Sequence, residues 1–450
     1  MKVFAAAVGL VLGALSTLAV AASLPPEQIH IAFAGDSGMS VSWATKGPTD
    51  TSTVKYGMDA DKLTLLAKGA QKTYYGNEYH HHVELLQLSP GTLYFYSCGD
   101  EAQGFSTIRS FKAPAQAMDK AFQTGQPHKI SVFGDWGYGE KAHAVETRTA
   151  LESIKKEVEF VWHVGDLSYA DDAFLHYPLH FKYEEIYDNW MNWIENISDS
   201  MAYMVAPGNH ESECHSPECL LHSSRRKALQ NFSAYEARWS MPSQHSGGNT
   251  NMWYSFNLGL AHYITIDTET DFPGAAEEHH GDSGVLPAGG FGRPGEFLQW
   301  LEEDLKEANA NRKVRPWIFV GGHRPIYTNS GTVGVLQKTF EDLMLKYNVD
   351  IYFTGHKHHA TRSWPIGHNG TVTGHSYMNP EGLVHLVAGG AGCDEYHKPK
   401  NHSLPPQLAT EVDYLATGVL TIYNSTTLHF DLIQSSDLKV VDSFTMVKEH

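Results

Sequence analysis

The chain has few basic residues for its length. Its 450 residues include 33 Lys and Arg against 51 Asp and Glu, which gives a formal net charge of −18 at pH 7. A nucleic-acid partner is therefore not expected, because such proteins use an excess of cations to displace phosphate counterions. Protonation of all 27 histidines near pH 5 would move the formal charge to about +9. An acidic medium would therefore suit anionic substrates better.

Long apolar runs are also scarce. Residues 1–22 form the exception: a lysine follows Met1, an apolar stretch extends to Val20, and small residues close the segment. This pattern is typical of a secretory signal peptide. A transmembrane anchor is the competing interpretation, but the stretch is short for a bilayer and lacks a charged stop flank. We therefore predict no membrane partner and a secreted protein, either extracellular or associated with a cell wall.

Cysteine is rare, with four residues that allow three disulfide pairings in an oxidising compartment. Cys214 and Cys219 enclose only His-Ser-Pro-Glu, so a local bond between them is favoured. Cys98 and Cys393 could bridge distant segments or stay free, and the sequence does not decide between these alternatives.

Five Asn-x-Ser/Thr sequons occur, at Asn196, Asn231, Asn369, Asn401 and Asn424. Glycan acceptors must lie on exposed surface of a protein that follows the secretory route. One sequon can arise by chance, but five behind a predicted signal peptide favour glycosylation.

Two regions with different patterns follow the signal peptide. Residues 23–114 predict an all-β sandwich, with short alternating runs at 28–33, 39–44, 53–56, 81–86, 93–98 and 108–112 between Gly, Pro and Asp turns. Leu88 to Tyr94 resembles the fibronectin type III pattern Leu-x-Pro-x-Thr-x-Tyr. Residues 115–127 are interpreted as a linker.

Residues 128–450 predict a larger α/β domain. Apolar strands at 130–133, 160–164, 203–205, 317–320 and 351–353 alternate with helices at 142–156, 181–197, 294–308 and 336–347. Segments 252–267, 384–388 and 418–433 suggest antiparallel strands instead. Two sheets flanked by helices, an α/β/β/α sandwich, would accommodate both halves.

Five short segments in this domain carry carboxylate, amide, phenol and imidazole groups just after apolar runs. They are Gly134-Asp135-Trp136-Gly137, Gly165-Asp166-Leu167-Ser168-Tyr169, Gly208-Asn209-His210-Glu211, Gly321-Gly322-His323 and Gly355-His356-Lys357-His358. Ligands of α/β folds gather at the carboxyl ends of strands, where glycine permits tight turns. One such segment would be an ordinary turn, but five in order favour a binding site.

The donor types in these segments suit two neighbouring metal ions. Cations about 3.5–4 Å apart repel each other, and a carboxylate between them lowers that cost, so one aspartate is expected to bridge. Imidazole with carboxylate favours iron, zinc or manganese over magnesium or calcium. Hydrolysis of a phosphate ester is the leading hypothesis for such a site.

The segments resemble the motifs of the metallophosphoesterase superfamily and, more specifically, of the purple acid phosphatases: GDxG, GDxxY, GNH(E/D), VxxH and GHxH. The resemblance covers the chain from Lys129 to Ala360, and large members also have a fibronectin-like domain before it. It implies a ferric ion bound by Asp135, Asp166, Tyr169 and His358. It also implies a second ion, Zn(2+), Fe(2+) or Mn(2+), bound by Asp166, Asn209, His323 and His356, with Asp166 bridging. The Tyr169 phenolate distinguishes this family and gives it its colour.

By this resemblance the chain is expected to be a secreted acid phosphatase that attacks small phosphate monoesters with a metal-bound hydroxide. A water on zinc has a pKa of about 7 instead of about 15.7, and ferric iron should lower it further. Phytate and sugar phosphates are among the candidate substrates. His210 is assigned to binding phosphate or protonating the leaving oxygen, with orientation of the loop as its alternative role.

The chain departs from the family pattern in two places. Many plant-type members have another histidine shortly after the VxxH motif, where this chain has Val333, and 324–346 contain no histidine. The identity of a second proton donor is therefore open, with His279, His280, His359 and His397 as weak candidates. The usual continuation of GHxH, Ala-Tyr-Glu-Arg, reads His359-Ala360-Thr361-Arg362 here, so an unusual substrate specificity is expected.

Two other motifs are given structural roles. His80-His81-His82 could suggest a metal site, but they adjoin an alternating strand of the N-terminal region. Gly389-Gly390-Ala391-Gly392 lacks the Lys-Ser/Thr end of a P-loop and is expected to shape a turn near the metals.

Two other functions stay open at this point. A phosphodiesterase or nucleotide pyrophosphatase would use the same ligands, because the ligands do not fix the number of ester bonds on phosphorus. A non-enzymatic extracellular binding glycoprotein is disfavoured by the complete ligand set. The sequence leaves the natural substrate, the second metal and the oligomeric state undetermined.

Overall fold

The computed structural model describes residues 24–120, 125–139, 143–178, 180–278, 286–395 and 403–449. The predicted signal peptide lies outside these ranges, as do Asn401, His279, His280 and His397. Within these ranges, no helix is both long enough and apolar enough to cross a membrane.

The N-terminal region is an all-β sandwich, as predicted. Its strands are β1 (Glu27–Phe33), β2 (Met39–Thr45), β3 (Ser52–Gly57), β4 (Leu65–Lys72), β5 (Tyr79–Leu85), β6 (Leu93–Asp100), β7 (Gly104–Phe105) and β8 (Arg109–Lys112). The order is β1-β2-β5-β4-β3-β6-β7, and β8 pairs with β6. β4 pairs with β3 through its first part and with β5 through its last residues. It therefore joins the sheet that contains β3 to the sheet that contains β5.

The histidine run lies in β5 and packs within the sandwich. The two ring nitrogens of His81 lie 2.8 Å from the hydroxyls of Thr45 and Ser52. The ring also stacks on Trp43, with centroids 4.8 Å apart. His82 lies 2.8 Å from the Ser42 hydroxyl. The ring nitrogens of His81 and His82 thus make hydrogen bonds within the sandwich, which agrees with a structural role for these histidines.

The larger region begins with a β/α alternation. Its elements are β9 (His128–Phe133), β10 (Trp136–Gly137), α1 (Val145–Ile154), β11 (Phe160–His163), β12 (Leu167–Ser168), α2 (Ala173–His176), α3 (Tyr183–Ser198) and β13 (Ala202–Val205). Four short helices follow: α4 (Pro217–Leu221), α5 (Ser223–Leu229), α6 (Ser233–Arg238) and α7 (Ser243–Ser246).

The central part continues with β14 (Tyr254–Leu258), β15 (Ala261–Thr265), α8 (Glu296–Ala310), β16 (Trp317–Gly321), β17 (Tyr327–Thr328), β18 (Gly331–Thr332), α9 (Gly334–Leu336), α10 (Asp342–Lys346) and β19 (Ile351–Thr354). A π-helix at Gln337–Glu341 joins α9 to α10, and 3-10 turns occupy Asn209–Glu211 and His368–Gly370. The chain ends with β20 (Ala360–Ser363), β21 (Ile366–Gly367), β22 (Thr371–Val372), β23 (Val384–Ala388), β24 (Leu408–Val412), β25 (Ala416–Ile422), β26 (Thr427–Gln434) and β27 (Val440–Val447).

Two sheets form the centre of this region. The first has the order β13-β11-β9-β25-β26-β27, and the second β14-β15-β16-β19-β23-β20-β24. β13, β11 and β9 are parallel, as are β15, β16, β19 and β23. Residues 384–388 were predicted to form an antiparallel strand. This prediction is wrong for the pairing of β23 with β19, which is parallel, and right for its pairing with β20, which is antiparallel. The hydrophobic pattern of a buried strand does not encode its direction.

Aromatic side chains fill the space between the two sheets. Trp162 of the first sheet lies 5.7 Å from Tyr263 and 6.0 Å from Phe353 of the second, measured between ring centroids. On the outer side of the first sheet, Trp190 of α3 packs on Trp136 at 5.9 Å. These contacts produce the two-sheet α/β architecture with helices outside that the sequence predicts.

The sandwich is attached to the larger region through a buried guanidinium. Arg238 of α6 is fully buried, and its Nη2 lies 2.7 Å from Asp188 and 3.0 Å from Glu184, both in α3. Its other donors reach the sandwich, with Nη1 donating to Gln28 at 2.9 Å and Nε to Tyr74 at 3.2 Å. A buried charge of this kind is stable only while all its partners are present.

A disulfide joins Cys214 to Cys219, the pairing that the sequence favours. Cys98 and Cys393 are buried free thiols.

Candidate metal centre

Five loops meet at the carboxyl ends of the central strands. Asp135 follows β9, Asp166 follows β11, Asn209 follows β13, His323 follows β16, and His356 follows β19. The two sheets stack, so the ends of their parallel strands face one crevice, where ligands of such folds bind.

The backbone turns sharply as it enters this crevice. Asp135, Asp166, Tyr169 and His356 all have positive φ, between 54° and 67°, a conformation that non-glycine residues seldom adopt. Strain of this kind persists only where the surroundings fix it, and it is common at functional sites. Glycine is needed at Gly208 for a different reason, since a Cβ there would lie 2.3 Å from the Asp166 carboxylate.

One group of donors gathers around Asp135. The Tyr169 hydroxyl lies 3.3 Å from Asp135 Oδ1, 3.4 Å from Asp166 Oδ2 and 3.0 Å from His358 Nε2. His358 Nε2 is also 3.3 Å from Asp135 Oδ1. Asp135 and Asp166 are completely buried, and Tyr169 is nearly so.

A second group gathers around Asn209. His323 Nε2 lies 2.9 Å from Asp166 Oδ2 and 3.1 Å from Asn209 Oδ1. His356 Nδ1 lies 3.0 Å from the same Asn209 oxygen. All seven predicted metal ligands are thus brought into one cluster, and Asp166 belongs to both groups.

The donor chemistry of the cluster fits two cations that share a carboxylate. The triads Asp135-Asp166-His358 and Asp166-His323-His356 each place one ligand atom per residue within 4.8 Å of the others. Carboxylate, imidazole and phenol donors surround the first position, and carboxylate, amide and two imidazoles surround the second. Without cations, burying several acids and imidazoles this close together costs folding free energy, because charged groups lose their hydration.

Backbone contacts hold the donors in orientation. Glu211 is buried and accepts three N–H groups, from Asp166 at 3.0 Å, Leu167 at 2.7 Å and Gly208 at 2.8 Å. It therefore joins the second and third loops. Burial raises the pKa of Glu211 to about 8. The Val164 carbonyl oxygen lies 3.0 Å from His323 Nδ1, which leaves Nε2 of that ring directed at the cluster.

His210 lies beside the cluster and not in it. Its Nδ1 is 2.8 Å from Asp171 Oδ2, and its Nε2 is 3.5 Å from Glu395. The same Asp171 oxygen is 3.4 Å from His215 Nδ1, which also lies 2.6 Å from Asp172. A carboxylate in this position fixes the tautomer and orientation of the imidazole.

The charges around His210 favour its protonated form. Burial opposes that form, but Asp171 and then Asp166 outweigh burial and raise the pKa of His210 well above its ordinary value. Burial likewise raises the pKa of Asp171, to about 7, against the effect of His210. Because Nδ1 of His210 faces Asp171, Nε2 is the ring nitrogen on the side of the cavity.

Arg324 follows His323 and approaches the second group of donors. Its Nε donates to Glu269 at 2.6 Å and its Nη2 to Glu277 at 3.0 Å. Its Nη1 lies 3.4 Å from His356 Nε2. Two buried carboxylates thus compensate the guanidinium charge.

Cys393 and Glu395 border the first group of donors. His358 Nδ1 lies 3.3 Å from the Cys393 sulfur and 3.1 Å from the Glu395 carbonyl oxygen. The Gly-Gly-Ala-Gly run precedes Cys393, and the carbonyl oxygen of Gly392 accepts from Gly137 N at 2.8 Å. The run thus lies next to the first loop, as its interpretation as a turn near the metals implies.

An open cavity of about 440 Å³ leads to the cluster and is lined by Asp166, Asn209, His210, residues 356–359 and Glu395. His359 is buried and lies 3.5 Å from Glu411, and burial lowers its pKa. Of the four histidines considered as a second proton donor, His359 is the one that the described residues include.

Val333, which stands where many related proteins have a histidine, packs at the edge of the apolar core.

Sequence reasoning missed several residues of the site. Asp171 stands two residues after Tyr169, and Glu211 is the last residue of the GNHE segment, so both were within reach of the motifs. Glu395 carries no local pattern. Lys357 lines the cavity, and its position there depends on how the GHxH loop folds.

Three family models match successive parts of the chain. The family model described as purple acid phosphatase, N-terminal domain, matches residues 26–113. The model for calcineurin-like phosphoesterase matches residues 128–360, and the model for iron/zinc purple acid phosphatase-like protein C matches residues 382–443.

Curated relatives span nearly the whole chain. The Homo sapiens protein named acid phosphatase type 7 is 33% identical over 454 residues, covering 95% of this chain and 92% of its own length. Acid phosphatase A of Cryphonectria parasitica is 30% identical over 474 residues, covering 94% of this chain and 92% of that protein. Among solved structures, the purple acid phosphatase PPD1 of yellow lupin superposes with a TM-score of 0.70 at 22% identity, covering 95% of this chain and 75% of that one, which shows a shared fold.

Proposed function

The chain belongs to the purple acid phosphatase family, and we propose that it hydrolyses phosphate monoesters at a binuclear metal centre. The family is hydrolytic, and the relatives that cover the chain are named acid phosphatases. Monoester preference, the identity of the metals and the role of each side chain are the parts of this proposal that need experiment.

We assign Asp135, Asp166, Tyr169 and His358 to a ferric ion, and Asp166, Asn209, His323 and His356 to a divalent ion of zinc, iron or manganese. When bound there, such ions would activate water and neutralise charge on the phosphoryl group. The observation that carries the assignment is that Asp166 belongs to both donor triads, since a shared carboxylate is what two close cations require.

His210 is assigned to the leaving group. Its Nε2 faces the cavity, and Asp171 holds its Nδ1 at 2.8 Å, so a proton is available at Nε2 for the departing oxygen. Positioned general acids contribute about 10²–10⁴-fold to such reactions. Asp166 accepts the backbone N–H of His210 at 3.0 Å, and Asn209 donates to the Glu213 carboxylate at 3.2 Å, so both side chains are held in position. Positioning and electrostatic stabilisation are the main protein contributions to phosphoryl transfer.

Metal analysis with a visible spectrum tests the ligand assignment. We expect two metal ions per chain, at least one of them iron, and a broad violet band that Tyr169→Phe removes while the iron stays bound. Phe at the exposed tyrosine Tyr414 is the matched control and should leave the band unchanged. A colourless wild-type protein with two zinc or two manganese ions would refute the ferric assignment.

Rates on monoester and diester substrates test the reaction. We expect p-nitrophenyl phosphate to be hydrolysed much faster than bis(p-nitrophenyl) phosphate at acid pH. The opposite order would favour a phosphodiesterase or nucleotide pyrophosphatase. Metal-loaded protein that hydrolyses neither ester would favour a binding glycoprotein without enzymatic activity. Phytate and sugar phosphates should be compared as natural substrates.

Secretion, glycosylation and the domain boundaries complete the proposal. We place the signal peptide at 1–22, the fibronectin type III-like sandwich at 23–114, the linker at 115–127 and the catalytic domain at 128–450. Exposure of Asn196, Asn231, Asn369 and Asn424 supports their use as glycan acceptors. Glycosidase treatment of protein from its native source, followed by peptide mass spectrometry, would locate the mature N-terminus and the modified asparagines.

A further inference from the structure

Lys357 adds an uncompensated positive charge to the cavity. It stands between the donors His356 and His358 in the GHxH segment, is half-buried and lines the cavity. No other lysine or arginine lines it among the residues described. Across the same ranges the Lys357 ammonium makes neither a hydrogen bond nor an ion pair.

The neighbouring charges do not explain this lysine. Arg324 is compensated by Glu269 and Glu277. The two carboxylates at the cavity wall, Glu395 and Asp166, lie 3.5 Å and 3.9 Å from His210 Nε2 and form no ion pair with Lys357. A half-buried cation is unfavourable unless an anion pairs with it. Among the described residues, no carboxylate forms an ion pair with the Lys357 ammonium.

The cavity has room for more than a phosphoryl group. A volume of about 440 Å³ falls within the range of sites that enclose whole small molecules. A phosphoryl group at the donor cluster would occupy only part of it, and Lys357 lines the space that remains for the rest of the ester. Ammonium is a point charge that binds phosphate and carboxylate without strict geometry.

We propose that Lys357 binds a second anionic group of the substrate. The site then prefers phosphate esters that carry another phosphate or a carboxylate over esters whose remaining part is neutral. This inference rests on the proposed phosphatase function and specifies its substrate class.

Two ligands that differ by one carboxylate test the inference without turnover. Propylphosphonate and 3-phosphonopropionate share a phosphonate, and only the second has another anionic group. Their affinities for the purified metal-loaded protein are measured by isothermal titration calorimetry. The variants are Lys357→Gln, which removes the charge, and Lys357→Arg, which keeps it. Lys68→Gln, at an exposed residue of β4, is the control for net charge.

We expect Lys357→Gln to weaken 3-phosphonopropionate about tenfold, the effect of one lost charge-assisted contact, while propylphosphonate changes less than about twofold. Lys357→Arg and Lys68→Gln should keep the wild-type ratio of the two affinities. Equal losses for both ligands would mean that Lys357 binds the reacting phosphoryl group, and no change for either would mean that it binds nothing. Both results overturn the inference.

The proposed function has a separate test. If wild-type protein hydrolyses p-nitrophenyl phosphate but the affinity ratio is the same in Lys357→Gln, only the substrate class is wrong. If wild-type protein discriminates between the two phosphonates through Lys357 but hydrolyses no phosphate ester, the anion site stands and the phosphatase function fails. Metal content measured on each variant ensures that the comparison is made between equally loaded proteins.

Discussion

His81 makes the stability of the N-terminal sandwich depend on pH. Burial lowers its pKa from 6.5 to about 4, with a smaller opposing effect from Asp100. In the unfolded chain the ring titrates near its ordinary value of about 6.5. Between these values the folded state binds fewer protons than the unfolded state. The stabilisation is therefore present above pH 6.5 and is lost as the pH falls toward 4.

The size of this effect follows from the two pKa values. A difference of about 2.5 pH units corresponds to ~3.4 kcal/mol of unfolding free energy once both states are titrated, of which about 2 kcal/mol is already lost at pH 5. The cause lies in the contacts of the ring: Thr45 and Ser52 occupy both nitrogens, and Trp43 covers one face. None of these neighbours is an anion that would favour the charged form.

Denaturant unfolding of wild type and His81→Gln at pH 7 and pH 5 measures the effect. Glutamine does not titrate, so the loss of unfolding free energy between the two pH values should be smaller in the variant by about 2 kcal/mol. Any constant cost of the substitution cancels in this difference. His375→Gln, at an exposed histidine, is the control. Equal pH-dependent losses in wild type and His81→Gln would refute the argument.

Three further substitutions test the site. Asp166→Asn should remove both metals, because the residue belongs to both donor groups, and elemental analysis should find two fewer ions than in the surface control Asp437→Asn. Asp171→Asn should lower kcat about tenfold to a hundredfold with little change in KM. It should also move the alkaline limb of the pH–rate profile to lower pH, because Asp171 raises the pKa of His210; an unshifted profile would leave Asp171 a purely structural role. Above pH 8, where the native carboxyl is ionised, Glu211→Gln should lower the unfolding free energy by about 2 kcal/mol, since the new amide faces backbone donors; unchanged denaturant unfolding at that pH would contradict this.

The clustering of the predicted donors could be anticipated because its information is local. Each donor stands next to glycine at the end of an apolar run, and strand ends of this kind converge in α/β folds. The strands before Asp135, Asp166 and His323 were expected within one or two residues of their observed bounds. For these segments, the position of a donor at the end of a strand was therefore enough to predict that it lies near the other donors.

Other features could not be read from the sequence for physical reasons. β4 has no apolar alternation because most of its residues are exposed, so it resembles a loop. The short helices α4 to α7 are held by contacts with the rest of the chain and not by an amphipathic pattern of their own. The direction of β23 and the charge environment of Lys357 depend on which segments become neighbours after folding, and no local pattern records that.

The guanidinium of Arg238 has a consequence for how this protein can be divided. Its acceptors come from both regions, with Gln28 and Tyr74 on one side and Glu184 and Asp188 on the other. A fragment that begins after the sandwich would expose this charge and two carboxylates that are covered in the full chain. The small domain is therefore not an accessory that can be exchanged or trimmed in expression work. We therefore expect the two regions to unfold together, and substitutions at the partners of Arg238 in one region to destabilise the other.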